Sequence, residues 1–449
     1  MPKLTRRKFL KNSAITAAVT PTAAHLLGSC TLPPRFAQGK LRHAAIGVGG
    51  MGGADLKQIS SHPDVEVIAL CDVDENFLNE AAKLHPQARL YCDWRKMLEK
   101  EHQNLDSVNV TTPDHMHAPI SLKAIELRLH VYCQKPLTHT VHESRQLNEI
   151  AKRKNVVTQM GIQNHSGANY SIAHKLFAQD HIKDIHEVHV WTDRPAGWWP
   201  QGVGRPEGED PIPAHLDWDK WLGVAPQRPY KDGLYHAFAW RGRLDFGTGA
   251  QGDMACHLMD PAIWFLELGH PNTIKSHGPP PTDDTFPLES KIEYQFPATS
   301  KTSPNGVKVV WHDGKNKPDA LLNKYGFGEN PYANASLFIG SNGAHMFSPY
   351  EIPKTTFNDK LVDLALPEAT PCNHWHQWVD ACFGRTSASA PFEYSAHLTE
   401  IALLGNIALN FPNQTLSWQG KRFKFENNAA ATALLSKDYR EGWRYKGLA

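Results

Sequence analysis

The sequence predicts an α/β chain that opens with a doubly wound parallel sheet, and three observations carry that expectation. A short apolar run from Leu41 to Val48 leads into Gly47-Val48-Gly49-Gly50-Met51-Gly52, after which Ala54 to Ser60 has helical character. A second apolar run, Val65 to Leu70, ends at Cys71-Asp72. Strand-like and helical segments then keep alternating, the pattern of parallel strands joined by crossover helices.

Strand, GxGxxG and helix together form the dinucleotide-binding fingerprint. Gly47 permits the tight turn, Gly49 lets the backbone approach a pyrophosphate, and Gly52 allows close helix packing. Gly50 and Met51 of the same turn are also expected to bind the cofactor, and the N-terminus of the helix that follows faces the phosphate charge. Asp72 follows the last glycine by about 20 residues, where an acid is expected to bind both ribose hydroxyls. A carboxylate there repels a 2′-phosphate, and no Arg follows in Val73-Asp74-Glu75-Asn76, so NAD is expected rather than NADP. The run Leu105 to Val110 is the next strand. It delivers Thr112, Pro113 and His117 to the cofactor side of the sheet. A helix from Pro119 to Arg128 and a strand from His130 follow, ending at Gln134-Lys135-Pro136.

The chain has 449 residues, 41% hydrophobic and 21% charged, which suits two globular domains. The formal charge is +1. Five basic residues (Lys3, Arg6, Arg7, Lys8, Lys11) lie in the first 29 positions, which hold no acid, so the remainder carries 42 basic against 46 acidic side chains. Without a clustered basic excess, no nucleic-acid partner is expected. The seven cysteines show no CxxC spacing, so mostly free, buried thiols are expected.

Thr5-Arg6-Arg7-Lys8-Phe9-Leu10-Lys11 precedes a mildly apolar stretch, Ala14 to Leu27, too short and polar to span a bilayer. The pattern resembles a twin-arginine (Tat) export signal, and Leu27-Gly28-Ser29-Cys30 resembles a lipobox. A periplasmic or otherwise exported protein is therefore expected, passed through the Tat machinery, with a lipid anchor at Cys30 or cleavage elsewhere before Leu41 as alternatives. The expected organisation is a signal over 1–30, a linker over 31–40, a dinucleotide domain over 41–160, a substrate and oligomerisation domain over 161–430, and a tail over 431–449.

The glycine fingerprint, Thr112-Pro113 with His117, Lys135-Pro136, and Gly252-Asp253-Met254-Ala255-Cys256-His257-Leu258-Met259-Asp260 together resemble the Gfo/Idh/MocA family. The family's usual Glu before Lys-Pro is Gln134 here. The Gln-Lys-Pro form and Trp240-Arg241-Gly242 resemble a secreted bacterial subgroup. The resemblance implies a Rossmann domain followed by an α/β domain built on a large, open, mainly antiparallel sheet. Ile185 to Val190, Ser290 to Phe296, Val307 to Trp311 and Ala335 to Ile339 are its expected strands. It further implies a helix near the C-terminus, Leu398 to Leu409, that returns to the Rossmann domain, and a homo-oligomer, dimer or tetramer. The irregular segment Pro195 to Asp232 is expected to cover the site or mediate subunit contact.

The same resemblance implies a catalytic set of Lys135, Asp253 and His257. Asp253 and His257 are four apart in an expected helix, so they share a face and can interact. His257 suits acid/base work because its ordinary pKa lies near working pH. Lys135, also beside the cofactor, would polarise the reacting oxygen. His165, Tyr235, Trp240 and Arg241 are expected to meet substrate, and His236 is a weaker candidate. His374 and His376 fall on a helix expected in the second domain. No metal site is expected, since no HxxxH or HExxH joins the histidines. The implied activity is an exported NAD(P)-dependent oxidoreductase acting on a sugar or polyol hydroxyl, keeping its NAD tightly bound. Two alternatives stand: an NAD-dependent glycosidase working by oxidation, elimination, hydration and reduction, and a cofactor-binding sugar sensor without turnover.

Overall fold

The computed structural model describes residues 39–329 and 332–448; the export-signal and lipobox positions lie outside the described residues. The N-terminal half runs β1 (Leu41–Ile46), α1 (Met51–Ser60), β2 (Val65–Cys71), α2 (Glu75–Leu84), β3 (Arg89–Tyr91), α3 (Trp94–Glu101), β4 (Ser107–Val110), α4 (His117–Glu126), β5 (His130–Gln134), α5 (Val141–Lys154) and β6 (Thr158–Gly161). The strands pair in parallel in the order β3-β2-β1-β4-β5-β6. The order reverses between β1 and β4, and a crevice opens beyond the strand ends at such a switch point. Buried Val and Ala on β1, β4 and β5 explain why these strands sit centrally, covered by helices on both faces.

The C-terminal half runs α6 (Ala168–Phe177), β7 (Glu187–Trp191), α7 (Trp218–Leu222), α8 (Gly249–Leu258), α9 (Asp260–Phe265), β8 (Thr273–His277), β9 (Lys291–Phe296), β10 (Val307–His312), α10 (Asp319–Lys324), β11 (Ala335–Ile339), β12 (Gly343–Phe347), β13 (Lys354–Phe357), β14 (Lys360–Val362), α11 (His374–Cys382), α12 (Phe392–Ala408), β15 (Thr415–Gln419), β16 (Lys424–Phe425) and α13 (Ala429–Ala433). Its ten strands are ordered β14-β13-β12-β11-β7-β10-β9-β8-β15-β16. All neighbours are antiparallel except β7 with β10. The alternating exposure of β8 and β9 marks one face packed and one wetter.

Helix α12 is buried on nearly every side, from Phe392 through Leu398, Ile401 and Leu404 to Ala408. It lies between α5 and α8 and so joins the two halves. Its Glu400 forms a two-pronged bond with Arg145 of α5, both contacts 2.8 Å. Helix α11, expected within the second domain, instead packs on α1: Trp378 and Val379 cluster with Leu41, Ile59 and Tyr132. The apolar stripe of α11 fits the exposed flank of the parallel sheet, and chain order alone hid that destination. All six described cysteines are free, with Cys92 and Cys372 exposed and the other four buried.

Candidate active site

A cleft of about 720 Å³ opens at the switch point and runs from the glycine turn to α8. At its first end, Gly47 has φ +80°, and a Cβ there would stand 2.5 Å from the Thr111 carbonyl oxygen. A Cβ on Gly52 would stand 2.1 Å from the Gly47 carbonyl oxygen. Only glycine fits this folded-back turn. Gly49, Gly50 and Met51 line the cleft, and α1 has neither a side-chain cap nor an acid in its first turn. The start of α1 thus carries no negative side chain to compete with an anion.

Asp72 also lines the cleft, held by Val48 N–H at 2.8 Å and Asp74 N–H at 3.0 Å. Two amides fix one edge of the carboxylate and leave its remaining lone pairs for a ligand. Burial pushes its pKa up, against those amides and the nearby His236. His236, a substrate candidate in the sequence, donates to Asp74 at 2.8 Å and so stands at this end.

In the middle of the cleft, Thr112, Pro113 and His117 follow β4. The Thr112 hydroxyl is buried without a partner. Both ring nitrogens of His117 face backbone carbonyls at 2.8 Å, those of Pro136 and Thr112. A neutral ring has one N–H, so the protonated ring satisfies both. Burial opposes that charge, but the Cys133 thiol and the two carbonyls outweigh it and raise the His117 pKa. His117 thus ties the β4 turn to the Lys135-Pro136 strand end.

Gln134 donates to Asp55 of α1 at 2.9 and 3.1 Å. Asp55 also accepts from Thr111 and Trp375, each at 2.8 Å. The carboxylate missing at position 134 is thus supplied from α1, with burial pushing the Asp55 pKa up to about 6.

At the far end, Lys135 Nζ lies 2.6 Å from Asp253 Oδ1 and 2.8 Å from the Asp253 carbonyl oxygen. Burial opposes the Asp253 charge, but Lys135, Arg241 and Arg194 outweigh it and hold the pKa down to about 2. The Asp253–His257 bond expected from their spacing is not formed, because Lys135 claims the carboxylate. The buried Nδ1 of His257 has no partner. Burial first, then Lys135 and Arg194 against Asp253, lower its pKa to about 3. The ring is therefore neutral at working pH.

Asp114, passed over in the sequence, lines the cleft beside these groups. It accepts from the Thr248 hydroxyl at 2.7 Å. Burial drives its pKa up to about 7, against Thr248, Lys135 and Arg241 and with Asp253. Its position at the end of β4, directly beside the switch point, was the available signal. Arg194, standing just ahead of the long insertion, Trp198 and Trp199 within it, and Trp240, Arg241 and Tyr350 complete this end.

Two expected substrate residues lie elsewhere. His165 bonds buried Asp260 at 2.8 Å and stacks on Trp264 at 4.0 Å, on a separate cavity of about 510 Å³. Its position four residues past β6 turns it behind α9 rather than toward α8. Tyr235 packs with Trp218 and Phe246 in the insertion's own aromatic core, where burial of the ring decides its place. Among the described residues no group of three or more His, Cys, Asp or Glu is placed to hold a metal ion.

Comparison with known proteins fits this geometry. A glycosyl hydrolase family 109 protein of Stenotrophomonas maltophilia (strain K279a) is 34% identical over 143 residues, 29% of each chain. A levoglucosan dehydrogenase of Pseudarthrobacter phenanthrenivorans is 25% identical over 198 residues, 44% of this chain and 42% of that one. The matches thus span well under half the length of these curated relatives. Among solved structures, the WlbA dehydrogenase from Chromobactrium violaceum in complex with NADH and UDP-GlcNAcA has TM-score 0.63 at 16% identity. That match covers 87% of this chain and 99% of that one, a likeness of fold. Two family models account for most of the sequence: "Oxidoreductase family, NAD-binding Rossmann fold" over residues 41–162, and "Oxidoreductase family, C-terminal alpha/beta domain" over 196–445. The chain belongs to the Gfo/Idh/MocA oxidoreductase family, whose Rossmann domain binds NAD.

Proposed function

We propose that the protein oxidises a ring hydroxyl of a sugar or sugar derivative with NAD, using Lys135, His257 and Asp253. The observation that carries this reading is the pairing of a neutral, unpartnered His257 with the Lys135 ammonium at one end of a cleft whose other end fits a dinucleotide. Gly47, Gly49, Gly50, Met51 and Gly52 would hold the pyrophosphate, Asp72 the ribose, and Thr112, Pro113 and Lys135 the nicotinamide end. When bound, the nicotinamide ring supplies hydride acceptance and return. His257 takes the hydroxyl proton. The third N–H of Lys135, beyond the two given to Asp253, steadies the negative charge that grows on the same oxygen. Asp253 keeps the lysine aimed. The exposed ring of Trp198 offers packing for the apolar side of a sugar ring.

A second reading has its own support in Asp114. Elimination of an aglycone from an oxidised glycoside needs a group that removes a carbon-bound proton and one that protonates the leaving oxygen. A carboxyl poised near pH 7 beside Lys135 suits such a paired role. The glycosyl hydrolase family 109 relative is in keeping with it.

The reading also places the protein outside the cytoplasm, delivered by the twin-arginine route, with Cys30 as a lipid attachment point. No helix among the described residues is long and apolar enough to cross a membrane. Without a free nicotinamide pool outside, the cofactor would stay bound and be restored within each cycle. A homo-oligomer is part of the same reading. Arg6→Lys with Arg7→Lys should hold the protein in the cytoplasm, and Cys30→Ser should release it from membranes on fractionation.

The deciding test follows the near-ultraviolet absorbance of reduced nicotinamide in the purified protein during exposure to free sugars and aryl glycosides. Lasting reduction by a free sugar supports oxidation. Release of the aryl group without lasting reduction supports the glycosidase cycle. Absence of any nicotinamide, bound or bindable, sinks both.

A further inference from the structure

The substrate end of the cleft carries more positive charge than its own acids balance. Asp253 is firmly ionised, yet three cations surround it. Only Lys135 bonds it, at 2.6 Å. Arg241 Nε stands 3.6 Å and Arg194 Nη1 3.9 Å from its oxygens, attracted but beyond hydrogen-bond reach. His257 adds no negative charge, and Asp114 holds its proton through most of the acid range. The His117 ring, nearby in the same cleft, is also tuned toward its cationic form.

Neither arginine is used up by the fold. A guanidinium has five N–H donors in a rigid fork. Arg194 contacts the Met254 sulfur, while its Nε is buried and has no acceptor. Arg241 donates to the Phe238 carbonyl at 3.0 Å. Aromatic faces fix both groups: Arg194 lies 4.0 Å over Trp198, and Arg241 lies 4.5 Å over Trp240 and 4.2 Å over Phe238. Rings that pin a guanidinium without satisfying its donors leave a preorganised fork for an oxyanion. The cofactor's pyrophosphate does not explain them, because the glycine turn has its own anion site at the start of α1.

We infer that the substrate is an acidic sugar, a uronate or a sugar bearing an equivalent oxyanion, whose anion docks between Arg194 and Arg241 while its ring packs against the exposed Trp198. The placement of its reacting hydroxyl at Lys135 and His257 rests on the oxidoreductase reading; the anion site does not.

Tryptophan-fluorescence titration and calorimetry with matched pairs test this: methyl glucuronide against methyl glucoside, and glucose 6-phosphate against glucose. An oxyanion held by two charge-assisted forks should bind about 10-fold or more tighter than its neutral partner, and about 0.5 M salt should erode that advantage. Arg194→Gln and Arg241→Gln should each reduce the preference and together abolish it, with NAD affinity retained as the check on folding. Arg→Lys at either site should keep part of it. Should a Gln variant fail to fold, the charge preference and its salt dependence in the unaltered protein decide. Preference for the phosphate over the uronate would name the oxyanion and still support the proposal. Equal binding within each pair overturns it, as does a preference that survives in the double variant. Nicotinamide reduction by neutral sugars bound equally well would leave the oxidoreductase reading standing without the inference. Tight, arginine-dependent uronate binding without nicotinamide reduction by any sugar would do the reverse.

Discussion

Lys135 Nζ lies 2.6 Å from Asp253 Oδ1, across the seam between a parallel strand end and α8, and so takes the carboxylate that the i, i+4 spacing would have offered His257. One half of the molecule supplies the cation and the other its counter-charge. Lys135→Met should therefore lower kcat by about 10²- to 10⁴-fold, the loss typical of a deleted proton-handling or oxyanion-stabilising group, with KM far less affected. Steady-state kinetics separates the two. Asp253→Asn should lower kcat too, and a changed pH profile would mark its action through Lys135.

Asp114 should set a titration near pH 7. Its folded pKa is raised from the ordinary 3.8 to about 7, so its contribution to stability is complete below about pH 4 and is lost as pH rises through about 7. Asp114→Asn removes that ionisation. The Tm of the Asn variant should fall less steeply than that of the parent from pH 4 to 8, and the matching limb in kcat/KM should disappear. Persistence of the limb would place it on another group.

His257 leads to the opposite expectation. Its pKa lies near 3, so the ring is already neutral across the ordinary range. The profile should show no acid limb near 6.5 that disappears in His257→Asn. A loss of activity at every pH in that variant should be the result instead.

Asp72 should govern cofactor choice. Asp72→Ser removes the carboxylate that repels a 2′-phosphate and also the ribose acceptor, so NAD binding should weaken and the NAD-to-NADP preference should drop by about 10-fold or more. Titration of both cofactors by fluorescence reads this directly.

Gly52→Ala tests the turn. The added methyl would meet the Gly47 carbonyl oxygen at 2.1 Å, so the turn must open. Overpacking of this kind costs about 1–3 kcal/mol, and cofactor affinity should fall with it. Denaturant unfolding with and without NAD distinguishes the two losses.

The parallel half was legible because its signals are local. Gly47 to Gly52, Asp72 and the strand ends at Val110 and Gln134 each announce their role within a few residues of sequence. The outer sheet was legible only at β7, β9, β10 and β11, where apolar runs are long. Strands such as β14 and β16 span two or three residues and carry no periodic pattern to read. Site composition was harder because it depends on which side chain wins a shared partner. Helix spacing linked Asp253 to His257, but a lysine over a hundred residues earlier took the bond. Tyr235 and Trp240 looked equivalent in sequence; both join the insertion's aromatic core, but only Trp240 also reaches the cleft. The raised pKa of Asp114 arises from burial, which sequence position alone does not reveal.

The buried rod α12, clamped to α5 through Glu400 and Arg145, implies that the units of exchange in this protein do not follow chain order. After it the chain returns to the parallel half, where Tyr439 bonds Glu143 at 2.7 Å and Trp443 reaches the cleft. A graft that moved only residues 41–162 onto a relative would strip the recipient interface of α11, α12 and the closing segment. Recombination that conserves function should carry 374–448 along with the first half, so that two stretches far apart in the gene travel as one inheritable module.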